Sequence, residues 1–158
     1  MLEISGYTVE VTRDSDISIH DSGVEGLANQ KSSDMDNRLA LFNKYDNAVC
    51  ISIHQNQFTD PIYSGAQMFY SGTNSSSEEL ARSLQSSFAE YLQPDNKREI
   101  KLCGKELFLC YYSDNPTVMV ECGFLSNPDE AALLNTEEYQ EKVAMTIFNG
   151  VNDFVCRK

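Results

Sequence analysis

Two short segments carry the residues of this chain best suited to chemistry. Cys50-Ile51-Ser52-Ile53-His54-Gln55-Asn56 is an apolar run that ends near a histidine. Val118-Met119-Val120-Glu121-Cys122-Gly123-Phe124-Leu125-Ser126-Asn127 is a second apolar run that carries a glutamate. Each reads as a buried strand, so His54 and Glu121 are expected where strands of an α/β sheet stop and ligands bind. A neutral imidazole is the commonest protein ligand for zinc. A carboxylate beside such a centre can take a proton from water and pass it to a departing amine. A catalytic zinc usually has three protein ligands and one open position, and this pair supplies one ligand and one base. On position alone, His54 also reads as an ordinary hydrogen-bonded strand-end residue. A glutamate between Val120 and Cys122 is harder to place in a plain core, because a buried carboxylate is costly unless it is paired or used. The other histidine, His20, falls in a polar stretch and is expected to face solvent.

The five cysteines are Cys50, Cys103, Cys110, Cys122 and Cys156, an odd count without a C-x-x-C. Cys50, Cys110 and Cys122 sit in apolar runs and read as small core residues. A disulfide framework is not expected in a domain of this size. A thiol nucleophile at Cys122 is a competing idea, but the neighbouring Glu121 would raise its pKa and weaken it.

The 158 residues, 41% hydrophobic and 23% charged, suit one domain with a real core. No apolar run has the length that spans a bilayer. The formal net charge of −12 argues against a nucleic-acid partner, which calls for a basic patch. Lys97, Arg98 and Lys101 come nearest to one and read as a solvated loop.

The elements that must position His54 and Glu121 follow from periodicity. Tyr7, Val9 and Val11 alternate with polar residues and predict a strand after Gly6. Gly6 itself closes a helical turn over residues 1–5. Residues 12–31 form a long polar loop. A helix is expected from Ser32 or Ser33, with Met35, Leu39 and Phe42 as its stripe. Strands follow at Cys50 to His54, Gly65 to Tyr70, Glu106 to Tyr112 and Thr117 to Glu121. A helix with the stripe Leu80, Leu84 and Phe88 is expected to start in a capping box at Ser75 with Glu78 or Ser76 with Glu79. Asn127-Pro128 opens a short helix. Thr136 caps the last one, where Tyr139, Val143, Ile147 and Val151 repeat. The fold class is α/β: a single domain with a mostly parallel or mixed twisted sheet flanked by helices.

Ile51-Ser52-Ile53-His54-Gln55-Asn56 resembles the S-I-H-x-N motif of zinc-dependent N-acetylmuramoyl-L-alanine amidases of the amidase-3 family. Val120-Glu121-Cys122-Gly123-Phe124-Leu125-Ser126-Asn127 resembles that family's V-E-x-G-F-L-S-N motif. Tyr7 to Arg13, Ser64 to Tyr70 and Tyr139 to Gly150 also resemble family segments. Lys31-Ser32-Ser33-Asp34-Met35-Asp36-Asn37-Arg38 is closest to the CwlD-type spore-cortex subgroup. The resemblance covers essentially all of residues 1–158, as an amidase-3-like catalytic domain.

The resemblance implies hydrolysis of the amide between N-acetylmuramic acid and the L-alanine of the peptidoglycan stem peptide. It implies zinc held by a histidine of an H-G-G motif, a glutamate at the start of the first helix, and His54. Glu121 then takes the role of general base, and Asn56 helps shape the substrate site. No H-G-G is present, and the chain enters the family pattern late in the first helix, without the first strand and most of that helix. The zinc site is therefore expected to be incomplete here. His20, or else Asp14, Asp16 or Asp21, could be proposed as a stand-in ligand, although the family has no ligand in that loop. The intact parent is expected to be exported to the cell wall or forespore cortex. Two alternatives stay open: an inactive peptidoglycan-binding or interaction module, and a hydrolase that uses Cys122. Unpaired sheet edges would also permit a homodimer.

Overall fold

Backbone groups in a core must find partners, so the apolar runs assemble into one ladder. The computed structural model describes residues 1–157. A 3-10 turn (Glu3–Ser5) leads to α1 (Leu27–Phe42), β1 (Cys50–Asn56), β2 (Gln67–Tyr70) and α2 (Ser76–Tyr91). Then come β3 (Lys101–Leu102), α3 (Phe108–Tyr112), β4 (Thr117–Phe124), α4 (Pro128–Leu134) and α5 (Glu137–Cys156). The sheet runs in the order β1-β4-β2-β3. β1 is parallel to β4, and β2 is antiparallel to β4 and parallel to β3. The fold is thus a single α/β domain on a mixed sheet, as expected.

Alternation sorts β4 into two faces. Val118, Val120 and Cys122 join Met68 of β2 in the main core against α2 and α5. There Leu80, Leu84 and Phe88 are fully buried and Val143, Ile147 and Val151 meet them, which is the stripe pattern read from the sequence. The two helices pack tightly at Gly150, where a Cβ would lie 2.9 Å from the Leu84 Cα. The opposite face carries Thr117, Met119 and Glu121. Asn115 ties α1 to this side by donating to the carbonyls of Phe42 (2.7 Å) and Tyr45 (2.8 Å).

Several local readings need correction. Tyr7 to Val11 is not a strand: its alternation is real, but no described strand lies alongside to form a ladder. Side chains hold it instead, Tyr7 to Asn152 at 3.0 Å and Glu10 to Lys44 at 2.9 Å and Tyr45 at 2.7 Å. Phe108 to Tyr112 is a helical turn rather than a strand. Tyr111 N–H donates to the Leu107 carbonyl at 2.8 Å, and the Phe108 and Tyr112 rings meet one turn apart. A five-residue apolar piece fits either period, so pattern cannot arbitrate. α1 begins at Leu27, earlier than expected, after Gly26 in a positive-φ conformation. Its first turn is exposed and so lacked the apolar stripe that marks a helix. The N-cap of α2, Ser75, makes no side-chain cap bond, so the box with Glu78 does not form; the Asn74 Oδ1 accepts from Ser76 N–H at 3.0 Å beside it. Asn127 and Thr136 do cap α4 and α5.

Candidate active site

The register places His54 directly beside Glu121 on the parallel strands β1 and β4. Gln67 of β2 lies on Glu121's other side. Register partners on neighbouring strands project from the same face, so the three side chains form one row across the sheet. Cross-strand partners in the antiparallel pair have Cβ atoms about 4.5–5.5 Å apart. Beyond this row the β1–β4 ladder slips: His54 faces Glu121, but Asn56 faces Phe124. β4 holds the extra residue of this bulge, a device that re-aims side chains at a site.

Glu121 is the one residue of β4 that is not fully buried. Its Oε2 is nevertheless enclosed and has no hydrogen-bond partner. Burial pushes its pKa above the usual glutamate range, since the charged form loses solvation and gains no donor. His54 is exposed at the rim, and its Nε2 shares a hydrogen bond with Ser52 Oγ at 2.8 Å. Partial loss of solvent around the imidazole, and then the charge of Arg38, hold its pKa below the usual value. The ring therefore favours its neutral form, the form that binds metals. Arg38 is itself paired with Asp34 at 2.6 Å, and Asp34 also anchors the long loop by accepting from Ile19 N–H at 2.7 Å.

Among the described residues, no three His, Cys, Asp or Glu side chains lie close enough together to hold a metal ion. The residues present therefore do not fit a complete zinc site. His20 is half-buried rather than solvent-facing and contacts Ser18 Oγ at 2.9 Å, away from any such cluster. Asp21 accepts from Ser33 and Asn37, which ties down the loop. Asn56 stands past the bulge, where its carbonyl accepts from Leu125 N–H at 2.7 Å.

Cys122 is not placed to act as a nucleophile. It points into the core, and burial followed by the Glu121 charge pushes its pKa up to about 12. Cys50 and Cys110 are buried as expected, Cys103 is buried too, and Cys156 alone is exposed.

Two residues of this region escape the sequence reading. Gln67 is buried, a polar residue in an apolar strand, which is the signal that could have found it. Arg98 is not part of a solvated loop. Its guanidinium makes a cation–π contact with Phe124 at 4.6 Å and donates to Gln67 Oε1 at 3.2 Å.

Residues 1–153 match the family described as N-acetylmuramoyl-L-alanine amidase. The chain is 33% identical over 157 residues to the germination-specific N-acetylmuramoyl-L-alanine amidase of Bacillus subtilis, with 99% of the chain and 65% of that relative covered. It thus spans just under two thirds of that curated relative's length. The CwlD amidase of Clostridioides difficile, solved in complex with the GerS lipoprotein, superposes with a TM-score of 0.93 at 32% identity. That match covers 99% of this chain and 80% of that one. A second N-acetylmuramoyl-L-alanine amidase, from Clostridium difficile 630, gives a TM-score of 0.71 at 29% identity over 78% of this chain and 66% of that one. With its two motifs paired on neighbouring parallel strands, the chain belongs to the amidase-3 family of N-acetylmuramoyl-L-alanine amidases, in its CwlD-type branch.

Proposed function

We propose that the protein hydrolyses the amide joining N-acetylmuramic acid to the L-alanine of the peptidoglycan stem peptide, with Glu121 as the group that moves the proton. The observation that carries this reading is the enclosed, unpartnered Oε2 of Glu121, beside His54 on two parallel strands, just before the bulge in their ladder. A carboxylate with a raised pKa accepts a proton from water and keeps it long enough to hand it to the departing amine. An ordinary glutamate would return that proton to solvent more readily. Asn56, past the bulge, is assigned to shaping the rim where the sugar–peptide junction lies.

His54 is assigned as one zinc ligand, in keeping with the family motif. The described residues supply no complete set, so the chain by itself is expected to hold zinc only weakly. Elemental analysis after dialysis against micromolar zinc is expected to find well under one ion per chain, and a stoichiometric ion would refute this. Similarity to a germination-specific relative supports action on the cell wall or spore cortex.

The test is release of new L-alanine amino termini from purified peptidoglycan with zinc supplied in excess, with Glu121→Gln as the control. Loss of the base is expected to lower the rate by about 10²-fold or more. An active Glu121→Gln variant would overturn the assignment. Binding without any release, by wild type and variant alike, would favour the inactive-module reading. No helix of the described residues is long and apolar enough to cross a membrane.

A further inference from the structure

Arg98 is anomalous in this chain. The other four arginines, Arg13, Arg38, Arg82 and Arg157, each have an acidic side chain within ion-pair distance. Arg98 has none among the described residues, although the chain carries 24 acidic residues against 12 basic ones. It is half-buried. Its guanidinium carbon sits over the Phe124 ring, 4.6 Å from the centroid, and 5.8 Å from the Tyr63 ring centre. Its Nε donates to the Ser64 carbonyl at 2.6 Å, and one terminal nitrogen donates to Gln67 Oε1 at 3.2 Å. Both acceptors are neutral. The second terminal nitrogen has no partner among the described residues. A cation–π contact with an aromatic ring does not use the N–H donors of a guanidinium, so those left over after Ser64 and Gln67 can meet an anion.

The surroundings are built to hold this pose. Gln67 is buried, and its amide nitrogen donates to the Glu99 carbonyl at 2.7 Å, which aims Oε1 at Arg98. Arg98 also lines an open pocket of about 450 Å³ between the loop at residues 62–65 and the turn at residues 93–98. Two carboxylates share this pocket. Glu130 is already engaged, its oxygens accepting from Gly65 and Phe124 N–H at 2.8 Å each, and Asp95 is exposed on the turn. Gln67 is the register partner of Glu121. Gln67 therefore connects Arg98, on the pocket wall, to the strand position beside the proposed proton-transfer group.

We propose that Arg98, oriented by Gln67, is a carboxylate-binding residue that anchors the acidic stem peptide beyond the bond being cut. This rests on the amidase reading above and adds a specificity determinant to it. A charge-assisted, fork-like contact suits a carboxylate and rejects its amide.

The test is titration of N-acetylmuramyl-L-alanyl-D-glutamate and of its diamide, followed by NMR, in a Glu121→Gln background so that neither probe is consumed. The acid is expected to bind about 10- to 100-fold more tightly than the diamide. Arg98→Gln is expected to abolish that preference while leaving diamide affinity unchanged, and Arg98→Lys to restore part of it. If Arg98→Gln weakens acid and diamide alike, Arg98 only supports the loop at Ser64, and the proposal fails while the amidase reading stands. If Arg98→Gln changes neither, the proposal fails in the same way. If the parent binds neither probe, both readings fall.

Discussion

Replacing Glu121 by Gln should make the protein more stable and less active at once, and the stability gain should depend on pH. The Oε2 atom of Glu121 is buried without a partner. An unsatisfied buried polar group costs about 1–3 kcal/mol, and more when charged. The other carboxylate oxygen is not enclosed in this way, so solvent screens part of the cost. A gain of about 1–2 kcal/mol at pH 8 is the resulting expectation for Glu121→Gln. For a domain of this size that corresponds to a rise in Tm of roughly 2–8 °C. The pH dependence follows from linkage. Burial raises the carboxyl pKa in the folded state above its usual 4.5. Below that usual value both states are protonated, and the wild type carries no charge penalty. As pH rises the unfolded state loses its proton first, so wild-type stability falls until the folded carboxyl ionises too. The advantage of Glu121→Gln should thus be near zero at acid pH, grow as pH rises from the usual value, and be complete above the raised folded value. Urea unfolding of both proteins across this range measures it. A variant less stable than wild type at pH 8, or a gain of equal size at every pH, would refute the reasoning.

Other perturbations test the scaffold. Gly150→Ala should cost about 1–3 kcal/mol in urea unfolding, because its Cβ would meet the Leu84 backbone at 2.9 Å across the α2–α5 contact. Asp34→Asn should also destabilise, by about 1–3 kcal/mol, since it leaves Arg38 without its counter-charge and weakens the anchor of the loop at Ile19. The Arg38 guanidinium holds the Asp34 carboxyl far below its usual range. The wild-type advantage over Asp34→Asn should therefore be complete above the ordinary aspartate pKa and shrink as pH falls below it. Thiol titration of the native protein should find one fast-reacting cysteine, Cys156, with the four buried ones reacting only on unfolding. Cys122→Ala should leave peptidoglycan hydrolysis intact, because a thiol with a pKa near 12 supplies no thiolate.

Much of the local architecture was legible in residue spacing. The stripes of α2 and α5, the caps Asn127 and Thr136, and the apolar strands β1 and β4 all express short-range physics that a sequence carries directly. The failures have a common cause. Tyr7 to Val11 has a strand's alternation but no neighbour to pair with. Phe108 to Tyr112 is too short for its period to show. β3 is two residues long, and the start of α1 has no buried face to leave a pattern.

The chemistry divides in the same way. The sequence by itself determined that His54 and Glu121 stand in two motifs of an amidase family, and that Cys122 neighbours a carboxylate. Only the tertiary structure decided that β4 lies between β1 and β2, which sets His54 and Gln67 on either side of Glu121. That order also encloses one oxygen of Glu121 and brings Arg98 to the site through Gln67. Period-two alternation specifies which face a side chain takes. It does not specify which strand will be its neighbour, because pairing is settled by contacts between segments far apart in the chain.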